Sequence, residues 1–480
     1  MHVGCRAVFA ACAILCLGPL TGCRTAGARS QVANAYPIEA KATENALSDV
    51  QARAERAPAV IQQAAHAQSL PEEIDAPRPE VLDIDALVAE VLVVNPDIRA
   101  AAAAWRAASQ RYPQEIALDD PMFGYMLGPG SWGRNDVNDA YTVEASQKLP
   151  WSGKRQLRGD IAQAEANAAY FDVGEQRLQI AETTRLAYYE YFLAHRQLAV
   201  LAESTRLLED FRQIALSRYE SASVEQQDVL LADVELADLS RRQFELERKE
   251  RVARARLNTL LLVAADAPLP PPPVELSLVG GPTDPAALRA LALAQRPELS
   301  AQAARIRAEQ YAVRLAYKEF YPDVEVLARY DAFWQEEPLR PMIGMNVNVP
   351  LGKKKRWAAV NEARARVAKE QAELETKTNE LMFDVEQTMR LVEESQGSLS
   401  VYRERILPAV RHSVDAARAS YVAGRLDFLR LVASQRQLLE MQDRYYEVMA
   451  DYRKREAALR RLVGEPPAAS IEPLEDEATF

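Results

Sequence analysis

The chain has 480 residues, 48% hydrophobic and 26% charged, so it is too long for one compact domain and too apolar for wholesale disorder. Only 18 glycines and 7% aromatics argue against a β-sandwich or large β-barrel as the main body, and 58 Lys+Arg against 69 Asp+Glu is the wrong balance for a nucleic-acid partner. Four scattered histidines (His2, His66, His195 and His412) leave no His-rich metal site. No nucleophile–base pairing, metal-ligand spacing or phosphate loop is present, so neither an enzyme nor a cofactor is expected.

All four cysteines (Cys5, Cys12, Cys16 and Cys23) fall in the first 23 residues, which removes any disulfide framework from the rest of the chain. An apolar stretch over 7–20 follows Arg6; it is too short to span a membrane and has the layout of a secretion signal. It ends in Leu20-Thr21-Gly22-Cys23, which looks like a bacterial lipobox, so Cys23 is the expected lipidated (palmitate-bearing) N-terminus. An ordinary signal peptide with an incidental cysteine is the alternative. Arg24 rather than Asp follows the cysteine, so nothing suggests retention at an inner membrane. Residues 24–80 are rich in Ala, Gln, Glu and Pro and weakly patterned, and read as an extension leading away from the anchor.

An internal repeat comes next. Asn95-Pro96-Asp97-Ile98 corresponds to Arg296-Pro297-Glu298-Leu299, each opening a helix with proline in its first turn. Pro121 matches Pro322, the corner Pro150-Trp151-Ser152-Gly153-Lys154-Arg155 matches Pro350-Leu351-Gly352-Lys353-Lys354, and Tyr219 matches Tyr421. The offsets are 201, 201, 200 and 202 residues, so the chain is two copies of one unit.

Within each copy the period of the pattern changes. Runs over 122–128, 139–149, 323–334 and 341–351 are expected strands. In the second, Tyr141, Val143 and Ala145 alternate with Thr142, Glu144 and Ser146; in the fourth, Ile343, Met345, Val347 and Val349 alternate with Gly344, Asn346 and Asn348. Each is about the length of a membrane-crossing strand, roughly 9–11 residues, although the first is short. A small soluble sheet is the plainer alternative.

The pattern then turns helical. Leu186, Leu193, Val200, Leu207 and Ile214 recur every seven residues beside Ala187, Ala194, Leu201, Leu208 and Ala215. After a break near 219–224, Ala232, Leu239, Leu246, Ala253 and Leu260 form a second series. The second copy has Val385, Val392, Leu399 and Ile406, then Leu431, Leu438, Tyr445, Tyr452 and Leu459. Sustained sevens are coiled-coil seams. The fold class is therefore mainly α with a small β part: a duplicated strand hairpin followed by a long antiparallel coiled-coil hairpin.

Four strands cannot close a membrane barrel, since about eight is the practical minimum and open edges are excluded from lipid. If these strands span a membrane, several chains must pool them, with the helices continuing below as a tube. The residues resemble the TolC-like outer-membrane efflux proteins, lipoprotein subgroup, over roughly 85–463. The resemblance rests on the paired Asn-Pro-Asp and Arg-Pro-Glu helix starts and on the corners Gln147-Lys148-Leu149-Pro150-Trp151-Ser152-Gly153-Lys154-Arg155 and Val349-Pro350-Leu351-Gly352-Lys353. Leu407-Pro408-Ala409 leading to Tyr421-Val422-Ala423-Gly424-Arg425-Leu426-Asp427 completes it. The corner at Pro150-Trp151 and Asp120-Pro121-Met122 look most like the heavy-metal-efflux branch.

The resemblance implies a homotrimer with a twelve-stranded β-barrel in outer-membrane lipid and an α-helical tunnel in the periplasm. Its partners would be a periplasmic adaptor (membrane fusion) protein and an inner-membrane pump of RND type, and its function export of small molecules or metal ions. A type I protein secretion channel or a non-pore periplasmic coiled-coil scaffold is the alternative. The division expected is a signal peptide over 1–22, a lipid-anchored extension over 23–84, repeats over 85–282 and 283–463, and an acidic tail over 464–480. The resemblance places a periplasmic gate at the hairpin turns, with Tyr219, Gln227 and Asp228 in the first copy and Tyr421, Arg425, Asp427 and Arg430 in the second; solvated turn residues are the plainer reading. The first copy has Ala222 where the second has Gly424, so the two tips are expected to differ. Lys154, Arg155, Lys353 and Lys354 stand at the corners, where lipid headgroups, helix-end partners or plain solvent could receive them. His195 and His412 are expected as packed or surface histidines.

Overall fold

The computed structural model describes residues 81–131, 140–276, 284–334 and 336–465. Two units divide the chain: Met1–Asn45 lies outside the described residues, and Ala46–Phe480 holds all of them. The signal segment, Cys23 and the tail beyond residue 465 also lie outside them.

The first copy opens with α1 (Ile84–Val94), α2 (Pro96–Ser109) and the short α3 (Arg111–Ile116). Asn95 ends α1 and caps α2, its side chain accepting from the Asp97 N–H at 2.9 Å, while Pro96 occupies the first turn, where no N–H is needed. Then come β1 (Met122–Gly128), β2 (Ala140–Leu149), α4 (Lys154–Glu220) and α5 (Gln226–Leu260). The second copy repeats the order as α6 (Pro285–Gln295), α7 (Pro297–Lys318), β3 (Asp323–Asp331), β4 (Pro341–Asn348), α8 (Lys353–Val401), α9 (Leu407–Val422) and α10 (Phe428–Leu462). With 67 residues, α4 is about 100 Å long at about 1.5 Å per residue.

Strands β3 and β4 stop short of the expected ends at 334 and 351. The Asp331 carboxylate accepts from the Phe333 N–H at 3.1 Å and turns the chain, and Pro350 has no N–H to continue a ladder. Between α8 and α9 lies a π-helical turn, Tyr402–Ile406, that the heptad pattern does not reveal. Pro408 stands next to it, and the wider turn relieves the clash of its ring with the carbonyl of residue 404.

The four strands form one antiparallel sheet in the order β1-β2-β3-β4, and its central pair joins the two copies. The seams dock the helices. Ala187, Ala194, Leu201, Leu208 and Ala215 are all buried along α4, and the last three share one core towards the tips with Ala232, Leu239 and Leu246 of α5 and Leu431 and Leu439 of α10. Each fully buried leucine contributes about 1.5–3 kcal/mol, so long helices of weak amphipathicity are held by packing rather than propensity. A second core, rich in tyrosine (Tyr188, Tyr191, Tyr452) with Phe192 and Leu257, seats α1 against α4 and α5.

Candidate functional site

The sheet has two chemically opposite faces. Phe123, Tyr125 and Leu127 of β1 stand opposite Ala145, Val143 and Tyr141 of β2, whose side chains share a face with Val324, Val326, Ala328 and Tyr330 of β3 and Ile343, Met345 and Val347 of β4. This face is apolar and largely exposed: Phe123 is 79% and Ile343 89% accessible. Tyr125, Tyr141 and Tyr330 form an aromatic row at the loop end, with ring centroids 6.5 and 6.0 Å apart. At the helix end Trp151 stacks on Tyr321 at 5.4 Å. Tyr330 lies nine positions beyond Tyr321, about 30 Å of extended chain, and a tilt of about 40° brings the two aromatic rows close to the ~25 Å height of an outer-membrane apolar band.

The other face carries a polar network. Arg329 Nε donates to Glu144 Oε2 at 2.7 Å, Ser146 Oγ donates to Glu325 Oε1 at 2.8 Å, and Asn346 Nδ2 donates to the other Glu325 oxygen at 3.3 Å. The outer edges of β1 and β4 pair with no strand among the described residues. Hydrocarbon on one side, water on the other and two open edges are what a segment of a larger barrel requires.

Where β2 turns into α4, Gly153 takes a left-handed conformation (φ 87°) and Lys154 is sealed in, 1% exposed. Its Nζ lies 2.9 Å from Asp323 Oδ1 and 3.4 Å from Glu319 Oε2, and donates to the Tyr321 carbonyl at 3.3 Å. The Trp151 N–H also donates to Asp323, at 2.8 Å. This cluster pins the first copy's corner to the start of β3 in the second. Arg155 donates to the Ile116 carbonyl. Both side chains are thus engaged by the protein itself.

At the far end are the two hairpin tips. Ala222 adopts φ 54° where Gly424 adopts 73°, and both turns close with the same pair of backbone bonds: Ala222 N to Tyr219 O and Ser223 N to Arg218 O, Gly424 N to Tyr421 O and Arg425 N to Ser420 O. The two tips therefore share one backbone form despite the Ala/Gly difference. Tyr421 is buried between them. Its hydroxyl donates to Asp228 Oδ2 at 3.0 Å, the Arg218 guanidinium donates to its carbonyl and lies 4.8 Å over its ring, and Phe428 packs at 5.4 Å. Burial first, then the bond to Asp228, hold its hydroxyl well above the usual tyrosine range.

From Asp228 the links continue every seven residues along α5. Glu235 pairs with Arg436 of α10, and Arg242 pairs with Asp443 of α10 with the charges reversed. Both pairs are 201 residues apart, the repeat offset, because the second helices of the two hairpins rise side by side from their tips. Burial pushes the Asp443 carboxyl up to about 6 against the pull of Arg242. Arg242 also lines a polar cavity of 290 Å³ with Gln197, Glu245, Lys249 and Glu447.

A family model described as outer membrane efflux protein matches residues 87–261 and 288–465, more than half of the chain and one span in each copy. The chain belongs to the outer membrane efflux protein family. It is thus a non-enzymatic channel protein of the outer membrane. No curated protein sequence matches it. Among solved structures, the outer-membrane channel OprN is 19% identical with a TM-score of 0.66, covering 79% of this chain and 89% of its own. CusC is 15% identical at 0.67 over 82% and 98%, and VceC from Vibrio cholerae 17% identical at 0.67 over 79% and 96%. At these identities the likeness is one of fold.

The gate candidates separate in the structure. It brings together Asp228 and Tyr421, one from each hairpin. Asp427 instead caps its own helix, accepting from the Arg430 N–H at 2.8 Å, and its carboxylate lies 3.7 Å from the Arg430 side chain. Arg425, Gln227 and Tyr219 are exposed, and the Arg425 side chain has no bonded partner among the described residues. His195 packs on Tyr191 at 4.5 Å, and His412 is exposed. Arg218 and the two ion pairs on α5 escaped sequence reading, although the seven-residue series 228, 235, 242 was available to find them.

Proposed function

We propose that three copies of this chain pool their strands into a twelve-stranded barrel and continue into a helical tunnel. The observation that carries this reading is the sheet with an apolar exposed face, a polar opposite face and two unpaired edges. Free helix surface supports it: Leu230, Val234, Phe244 and Val252 are exposed along α5, where another copy would cover them. A barrel of three such sheets removes every open edge.

In this reading the chain exports small molecules or metal ions received from an RND-type inner-membrane pump through a periplasmic adaptor docked at the hairpin tips. Acyl chains on Cys23 add a second hold on the membrane. The Tyr421–Asp228–Arg218 cluster, with the Glu235–Arg436 pair above it, keeps the two hairpins of each chain together at the periplasmic end and so sets the resting width of the tunnel.

The test joins mass and conductance. Native mass in mild detergent is expected to give three chains, and the same sample should conduct in a planar bilayer. A monomer that never conducts would support the coiled-coil scaffold instead. Deleting the gene and measuring susceptibility to metals, drugs and detergents identifies the substrate class. Cys23→Ser should abolish acyl labelling, and unchanged labelling would remove the anchor.

A further inference from the structure

On the apolar face of the sheet, alternate residues of β4 form an exposed ribbon: Ile343, Met345 and Val347, continued past the strand end by Val349 and Leu351, the last 84% exposed. From Ile343 to Val349 this ribbon covers about 20 Å at about 3.3 Å per residue, most of the ~25 Å apolar band of an outer-membrane barrel, with Leu351 at its foot. Three lysines follow at once. Lys353, Lys354 and Lys355 are all exposed, and none has an ion pair or hydrogen bond to a side chain of a described residue. Trp357 is exposed beside them, with Phe320 packed on its ring at 5.4 Å.

The same position in the first copy is built differently. There Lys154 is consumed by Asp323 and Glu319, and Arg155 by a carbonyl. In the second copy only Arg356 is spent internally, on the Glu319 and Gly352 carbonyls. Helix stability does not account for the lysines, because cations in a first turn oppose the helix dipole. Bulk charge does not either, since the chain carries a net −11. What remains is their place, directly below the last membrane-facing side chain on the side where the helices begin.

We propose that Lys353, Lys354 and Lys355, with Trp357 and the stacked Trp151–Tyr321 pair, form a collar that binds anionic phospholipid headgroups of the periplasmic leaflet. The proposal rests on reading the sheet as part of an outer-membrane barrel. The ribbon fixes the depth, the aromatic rings sit at the headgroup level, and the ammonium groups meet phosphate there.

The full-length protein, reconstituted with equal amounts of phosphatidylglycerol and phosphatidylcholine, is washed in mild detergent and its retained lipid counted by native mass spectrometry. Each lysine at an anionic surface is worth roughly fivefold in enrichment, so Lys353→Gln/Lys354→Gln/Lys355→Gln should lower the phosphatidylglycerol preference at least about tenfold. Arg411→Gln/Arg418→Gln, neutralising exposed positions on α9, should leave it unchanged. Preference intact in the triple variant, or lost equally in the α9 variant, overturns the collar. Displacement of the lipid by millimolar inorganic phosphate would reduce it to a simple anion site and also overturns it. Conductance of each variant is measured in parallel: a protein that conducts without lipid preference defeats the collar alone, whereas one that never inserts defeats the barrel reading.

Discussion

The Arg242–Asp443 rung supports a prediction whose sign runs against the usual behaviour of a carboxylate. Asp443 is 4% exposed on α10, and burial raises its pKa from 3.8 to about 6 even with Arg242 beside it. That rise is worth about 3 kcal/mol at 1.36 kcal/mol per tenfold. Because the raised value belongs to the packed state, the packed hairpins bind an extra proton between about pH 4 and pH 6. The stability owed to Asp443 is complete below about pH 4 and lost as pH rises through 6. Asp443→Asn places a neutral side chain there at every pH, and Arg242, whose side chain is 34% exposed, can hydrate in place of the lost pair. Hydrogen exchange across α5 and α10 reads the local opening free energy. At pH 7.5 the variant should exchange more slowly than the parent, by up to about 100-fold, and at pH 4 the two should coincide. Faster exchange in the variant at pH 7.5, with the parental pH dependence retained, would refute the reasoning and make the ion pair a net stabilising contact.

At the tips, Ala222→Gly relieves a left-handed alanine and should add about 1 kcal/mol to local stability, whereas Gly424→Ala should cost about as much; exchange at the two turns measures both. Lys154→Ala removes the cation bonded to Asp323 and Glu319 at the corner, leaves two partly exposed carboxylates that water can reach, and should cost about 1.5–3 kcal/mol, read as a lower unfolding temperature. Neutralising Asp228 removes the acceptor of the Tyr421 hydroxyl, a bond to a charged group worth about 1.5–3 kcal/mol. Combined with Arg425→Gln it should raise single-channel conductance and admit a bulky antibiotic such as vancomycin, and parental conductance with an intact oligomer would place the gate elsewhere. Asp427→Ala should cost about 1 kcal/mol through its helix cap and leave conductance unchanged.

Much of the fold is legible in the residues because its signals are local. Alternation at 141–146 and 343–349, proline at each helix start and seven-residue seams all act within a few turns of chain. The corner lysines show where local reading stops. Lys154 and Lys353 follow the same glycine in matching motifs, yet one is buried and the other bathed in solvent, because the partners of Lys154 come from more than 160 residues away. Asp427 and Asp228 looked interchangeable as carboxylates near a turn. One lies at an N-cap, where the nearest unsatisfied donor is its own backbone, and the other faces a tyrosine from the second hairpin. The rungs at Glu235 and Arg242 need one fact that no single helix contains, that α5 and α10 rise in parallel at the repeat offset.

The β2–β3 pairing also dictates an order of events during biogenesis. Within each long hairpin the two helices can zip as the second arrives, whereas Thr142 of β2 must wait for Asp331 of β3, 189 residues later. High contact order thus belongs to the contacts between the two copies, in the sheet and where α4 meets α10 (Ser204 with Gln435, Glu182 with Arg461), and not to the pairing of helices within one hairpin. The first copy's coiled coil can be complete before its own strand pair finds a neighbour. The apolar sheet face is therefore assembled only after the second copy has emerged, which shortens the time that a large sticky surface spends in water before it meets the bilayer.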